Sequence, residues 1–193
     1  MTAPPRRAYG ELDREQVVAA LQDLARRVGV RRVTMRELAA ELGVAAPSVY
    51  YHVRDKQAAL NLLAESVLSA IAEPGPGPWH ERLIELYSHA RRVLLDVPGI
   101  AGVLQTNGDG ECARRLDNLS RALIAQSGLT KTVANAAHTV LYTYLLGSVG
   151  LEESRPHSVP SPSERQAASR FRAGLAVIVS GIQASSQISR EGR

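Results

Sequence analysis

The apolar positions of this chain recur at steps of three and four. Val17, Leu21, Leu24 and Val28 form one such stripe, and Leu60, Leu63, Val67 and Ile71 form another. Leu83, Tyr87, Ala90, Leu94 and Val97 share a third face, and Cys112, Leu116, Leu119 and Leu123 a fourth. That spacing gathers each set on one side of an α-helix. Two more helices, from about 130 to 151 and from 164 to 185, carry Val133, Ala137, Val140 and Tyr144, then Ala168, Phe171, Leu175, Ile178 and Ile182. No stretch keeps the alternation of a strand, so the expected fold class is all-α.

Two breaks divide the helices. In Glu73-Pro-Gly-Pro-Gly-Pro78 no helix can continue, because proline lacks the amide donor and glycine loses the most backbone freedom on ordering. The stretch from Glu152 to Ser163, with Pro156, Pro160 and Pro162 among serines, reads as a mobile loop. The expected organisation is a flexible arm at 1–12, a first domain at 13–72 ending in a connecting helix, a linker at 73–78 and a second domain at 79–193.

The last two helices have more apolar surface than a single stripe requires, with Gly147, Ser148, Gly174, Ser180 and Gly181 among their large residues. Small residues let helices approach closely, and the surplus predicts a second copy of the chain as cover. Val140, Tyr144, Gly147, Phe171, Leu175, Ile178 and Ile182 are the expected contacts of that homodimer.

Composition adds little to this outline. At 193 residues, 45% hydrophobic and 22% charged, the chain has the make-up of a folded globular protein. Its net charge of +4 suits a nucleic-acid partner only weakly, and both parts share it: residues 1–72 hold 10 basic against 8 acidic side chains, the rest 13 against 11. The absence of a long uncharged apolar segment or a signal-like start predicts a cytoplasmic protein with no membrane partner. One cysteine, Cys112, permits no internal disulfide. Glycine-rich phosphate loops, Gly-x-Ser-x-Gly and His-Glu-x-x-His are missing, so an enzyme is not expected, and no cofactor or metal is called for.

The informative stretch is VTMRELAAELGVAAPSVYYHVRDK, Val33 to Lys56. Thr34 followed by Glu37 makes a capping box that starts a helix. Gly43 ends it, and Pro47 sits where a new helix begins and its missing donor costs nothing. Ala39, Gly43 and Val49 then have the spacing of a helix-turn-helix: a small residue where two helices touch, a turn glycine and an aliphatic anchor. With Val49 and Val53 inward, Pro47, Ser48 and Tyr51 face out, with parts of Tyr50 and His52. Two adjacent exposed tyrosines are costly on a solvent face, but their hydroxyls suit phosphates and their rings thymine methyls. Arg36 can reach a guanine edge or a phosphate, and Lys56 another phosphate.

At these residues the chain resembles the tetracycline-repressor (TetR) family of bacterial regulators. The likeness rests on Thr34-x-Arg36-x-Leu38-Ala39, Leu42-Gly43-Val44 and Pro47-Ser48-Val49-Tyr50-Tyr51-His52-Val53-x-x-Lys56. It implies a three-helix DNA-binding domain joined by a fourth helix to a helical bundle for ligand binding and dimerisation. It also implies a base contact for Arg36, backbone contacts for Thr34, Ser48, Tyr50 and Tyr51, a thymine methyl at Pro47, and phosphates at His52 and Lys56. The tetracycline repressor itself reads a base with a glutamine just before that proline, where Ala46 stands here, so a different operator sequence is expected.

The resemblance implies a repressor that binds a pseudo-palindromic double-stranded operator and is released by a small-molecule effector. Repressors that sense a magnesium–tetracycline chelate place a histidine at the end of the fourth helix. Here that end is Ala70-Ile71-Ala72, and Ile100 to Asn107 also lacks one, so a chelated tetracycline is not expected. Tyr87, His89, Asn107, Asn135, His138 and Tyr142 are the candidate polar groups of an otherwise apolar effector cavity. A constitutive DNA-binding protein without an effector remains the alternative, and a cavity beneath the helices after residue 79 separates the two.

Overall fold

The computed structural model describes residues 12–106, 110–154 and 163–191, and these form helices with no strand among them. The order is α1 (Arg14–Val28), a 3-10 turn (Val30–Arg32), α2 (Met35–Leu42), α3 (Ala46–His52) and α4 (Lys56–Ser69). After the proline-glycine stretch come α5 (Trp79–Leu95), α6 (Ile100–Thr106), α7 (Glu111–Ala125), α8 (Lys131–Glu153) and α9 (Glu164–Glu191). The short α6 was not resolved as an element by periodicity, and α9 runs further than its apolar rhythm suggested. The expected arm at 1–12 lies almost wholly outside the described residues, as do Asn107 and the three prolines before Ser163.

Local chemistry sets the helix ends. Asp13 accepts from the Gln16 amide at 2.7 Å while the Gln16 side chain accepts from the Asp13 amide, closing a capping box on α1. Asp55 accepts from the Ala58 amide at 2.7 Å and starts α4. Gly43 ends α2 at φ 66° and ψ 27°, a left-handed conformation that a Cβ disfavours.

The first three helices pack on one another, and α4 packs on α1, with Leu21, Leu38, Val49 and Leu63 retaining no solvent exposure. Burial of each such side chain stabilises by about 1.5–3 kcal/mol. Beyond the linker, α5 is central and touches α7, α8 and α9.

On its inward face lies Arg91, only 2% exposed. Its guanidinium donates from Nε and Nη2 to the two Glu152 carboxylate oxygens at 2.8 and 2.5 Å, and from Nη1 to Glu164 at 2.9 Å. It also sits 5.7 Å from the centre of the Phe171 ring. Hydrogen bonds to Glu152 outweigh burial and hold the charge on this arginine more firmly than usual. One buried cation thus gathers the end of α8 and the start of α9 onto α5.

Close approach of α8 and α9 depends on Gly174. A Cβ there would stand 2.0 Å from the Tyr144 hydroxyl, which lies across α9 and donates to the Phe171 carbonyl at 3.1 Å.

Replacing Gly43 by alanine keeps the turn free of clashes, since nothing lies within 4 Å, but forces a Cβ into the left-handed region. We expect a loss of about 1–2 kcal/mol in urea unfolding, and a smaller loss for Gly43→Asn.

Candidate functional site

Two regions hold the sequence-predicted site residues. The first is the outer face of α2 and α3. Arg36 and Pro47 are exposed, Tyr50 is 49% and Tyr51 82% exposed, while Ser48 and His52 are half-buried. Val49 and Val53 turn inward beneath them. Pro47 is the second helical residue rather than the first, a position whose amide is equally unneeded by the helix. The hydroxyl of Thr34 is occupied locally: it accepts from the Glu37 amide at 3.2 Å and contacts the Glu37 carboxylate at 2.9 Å. Lys56 lies exposed at the start of α4, its ammonium donating to the Arg31 carbonyl at 3.5 Å. All eight residues therefore fall on or beside one two-helix surface.

The second region is a cavity of about 430 Å³ enclosed by α4 to α8. Leu68 and Ile71 come from α4 and its end, Leu86, Ala90 and Leu94 from α5, Leu104 from α6, and Leu145 and Leu146 from α8. Its polar groups are Tyr87, Arg114, Asp117, Asn118, Ser120, His138 and Tyr142.

Of the sequence candidates, Tyr87, His138 and Tyr142 thus meet in this wall. His89 does not: its Nδ1 accepts from the Ala72 amide at 3.3 Å just past the end of α4. Asn135 lies apart, accepting from Arg121 at 2.8 Å.

Sequence reasoning missed Asp117 and Ser120, the residues that connect the other three. His138 Nε2 is 2.7 Å from Asp117 Oδ1, and His138 Nδ1 is 3.1 Å from the Ser120 hydroxyl. Ser120 in turn stands 2.9 Å from the Tyr87 hydroxyl. Arg121 Nε donates to the other Asp117 oxygen at 2.7 Å. The His138 and Tyr142 rings stack with centres 6.4 Å apart.

Burial governs the charge states. It pushes the Tyr87 phenol up to about 12, and it lowers His138 despite the opposing pull of Asp117. Burial would raise Asp117, but the hydrogen bonds from Arg121 and His138 and the Arg121 charge outweigh it and hold the carboxyl below its usual range.

The cavity borders α4, the helix that follows the outer surface in the chain and packs on α1. Glu65 of α4 accepts from the Cys112 amide at the start of α7 at 3.0 Å, and the Ile71 carbonyl accepts from Arg115 at 3.1 Å.

The dimer candidates divide. Phe171, Leu175 and Ile182 are buried within the subunit and Ile178 is half-buried, whereas Val140 and Gly147 are exposed. The 28-residue α9 has two apolar faces, and the large side chains occupy the inner one. The outer face carries Ala173, Ala176, Val177, Ser180, Gly181 and Ala184, opposite in character to a charged solvent face. Among the described residues no three His, Cys, Asp or Glu side chains converge as a metal would require. No helix among them is long and apolar enough to cross a membrane.

Residues 17–63 match the model of the bacterial regulatory proteins of the tetR family, and residues 71–169 that of the tetracyclin repressor-like C-terminal domain. A transcriptional regulator of the helix-turn-helix type from Saccharopolyspora erythraea is 32% identical over 168 residues, covering 84% of this chain and 70% of that protein. The chain belongs to the TetR family. The class A tetracycline repressor of transposon 1721 from Escherichia coli is 28% identical over 197 residues, covering 89% of this chain and 91% of the repressor. Among solved structures, BioQ with its natural double-stranded DNA operator superposes with a TM-score of 0.76 at 25% identity, covering 90% of this chain and 99% of that one. As a TetR-family member the chain is a DNA-binding transcription regulator, with its helix-turn-helix at α2 and α3.

The neutral His138 gives a pH test with a definite sign. Its folded-state pKa lies below the ordinary 6.5, so on acidification the unfolded chain takes up the proton first. Stability should therefore fall as pH drops below about 6.5. In urea unfolding at pH 7.0 and 5.5 the wild type should lose more stability than His138→Gln. Equal losses would show that His138 is not the buried neutral group described.

Proposed function

We propose that this protein is a dimeric TetR-family repressor that binds a pseudo-palindromic operator through α2 and α3 and releases it when a small molecule fills the cavity. The carrying observation is the pairing of two features on one shared helix. A face on which Arg36, Pro47, Tyr50 and Tyr51 are exposed and Ser48 half-buried leads into one end of α4, and an apolar cavity with a few polar groups borders the other. In this reading residues 13–72 bind DNA, 73–78 link, and 79–193 sense and dimerise. Arg36 meets a base edge, Pro47 a thymine methyl, and Ser48, Tyr50, Tyr51, His52 and Lys56 the backbone. Thr34 serves chiefly as the cap of α2. A relative that is a tetracycline repressor and a neighbour solved on its operator both support the reading. The cytoplasm is its place of action, where operator and effector meet.

The dimer forms on the outer faces of α8 and α9. Val133, Ala136, Val140, Gly147 and Leu151 on the first, and the small-residue stripe around Val177 on the second, are exposed and spaced as helix seams.

One feature favours a different class: Ser120, His138 and Asp117 form a hydrogen-bonded chain of the kind hydrolases use. We read it as a binding wall. Ser120 lies inside α7, whose backbone amides are committed to the helix and so form no oxyanion hole for it.

Arg36→Ala should weaken operator binding by about 1–3 kcal/mol and relax preference at one base position. Lys56→Ala should weaken all sequences alike and lower the salt slope by about one charge. Identical behaviour of the two variants in operator titrations would contradict the assignment. In sedimentation velocity Val177→Glu, on the outer face, should give a folded monomer, whereas Leu175→Glu should unfold because it buries an unpaired carboxylate. A stable Val177→Glu dimer would place the interface elsewhere.

A further inference from the structure

The hydrogen-bond chain in the cavity wall has a direction, and it is fixed from one end. Asp117, held ionised, is an acceptor at both oxygens, one facing Arg121 Nε at 2.7 Å and the other His138 Nε2 at 2.7 Å. Nε2 must therefore carry the hydrogen. In the neutral ring Nδ1 is then a bare lone pair, so the Ser120 hydroxyl donates to it across 3.1 Å. Ser120 has a single proton, and with that proton spent it can only accept from the Tyr87 hydroxyl at 2.9 Å. The Tyr87 oxygen is left with lone pairs alone.

Tyr142 reaches the same condition by another route. Its hydroxyl donates to the Leu104 carbonyl at 3.3 Å, and a carbonyl can do nothing but accept. The donors of the wall, Arg114 and Asn118, are exposed and so stand at the rim, Tyr142 at 39% exposure stands at the mouth with them, and Tyr87 and Ser120 are buried inside.

We propose that the cavity selects an apolar effector carrying a hydrogen-bond-donating group, a hydroxyl or phenol, which it directs to the Tyr87 and Tyr142 oxygens, and that it rejects ligands offering only acceptors. This rests on the cavity being the effector site. A ligand with only an acceptor at that end leaves the buried Tyr87 oxygen desolvated and unpaired, with two lone-pair groups facing one another. Plain apolarity predicts the opposite preference, because methylating a phenol makes it more hydrophobic. The two forces therefore differ in sign.

The test compares 2-naphthol and 9-phenanthrol with their methyl ethers by isothermal titration calorimetry on the full-length protein. Each phenol should bind at least about tenfold more tightly than its ether. Ser120→Ala frees the Tyr87 proton to donate to a ligand, so the preference should shrink severalfold in that variant, and Tyr87→Phe, which removes the acceptor, should shrink it too. Ethers that bind as tightly as the phenols would overturn the inference, while their release of operator would leave the effector reading standing. Failure of all four compounds to bind would overturn the cavity as effector site, and the inference with it.

Discussion

The fold turns on α4 being shared between two cores. Its fourteen residues bury Ala59, Leu63, Ala64, Val67 and Leu68, which do not share a single stripe but point to different neighbours. On one side α4 completes the core of the helix-turn-helix, with Gln22 of α1 donating to Ser66 at 2.7 Å. On the other, Leu68 and Ile71 form part of the cavity wall, and Glu65 caps the start of α7. An amphipathic helix would let the two domains slide past each other. A helix claimed by two cores transmits displacement instead, because close-packed interfaces do not deform continuously.

A second hold keeps the transmitted motion from being a free swing. The Val30 amide, just after α1, donates to the Pro98 carbonyl at 2.8 Å, and Arg26 meets Asp96 at 2.7 Å. The turn that contains Pro98 is itself tied to α8, where Glu153 accepts from the Gly99 amide at 2.9 Å. Among the described residues the helix-turn-helix unit is thus held to the second bundle at α4, beside the cavity, and again at the turn around Pro98. In the function proposed above, movement of the first attachment relative to the second rotates α2 and α3. In a dimer that rotation alters the fit of two reading surfaces to successive major grooves.

What could be read from the sequence was what local rules write there. The capping box at Thr34 and Glu37, the turn at Gly43 and the inward Val49 concern residues within one or two helical turns, and the outer face followed from them. The cavity was legible only in part. Tyr87, His138 and Tyr142 stood out as polar groups among apolar neighbours, but Asp117 sits with Arg114, Arg115 and Arg121 among the charged positions of its helix, off the Cys112–Leu123 stripe. Its role depends on α8 lying over it. Arg91 was hidden likewise, although its place between Tyr87 and Leu94 on the inner stripe of α5 was a usable signal. The large residues of α9 were assigned to a partner because periodicity counts apolar faces without saying which one the subunit keeps for its own core.

The claim that joins these parts is that occupancy of the cavity and grip on DNA are linked through α4. The measurement closest to it is the operator dissociation constant with the cavity empty and with it saturated by a bound phenol such as 9-phenanthrol, occupancy being checked by calorimetry. A coupling of about 1–3 kcal/mol predicts that saturation weakens operator binding roughly 5- to 150-fold, and that operator weakens the ligand by the same factor. An operator affinity unchanged by a filled cavity would contradict the account.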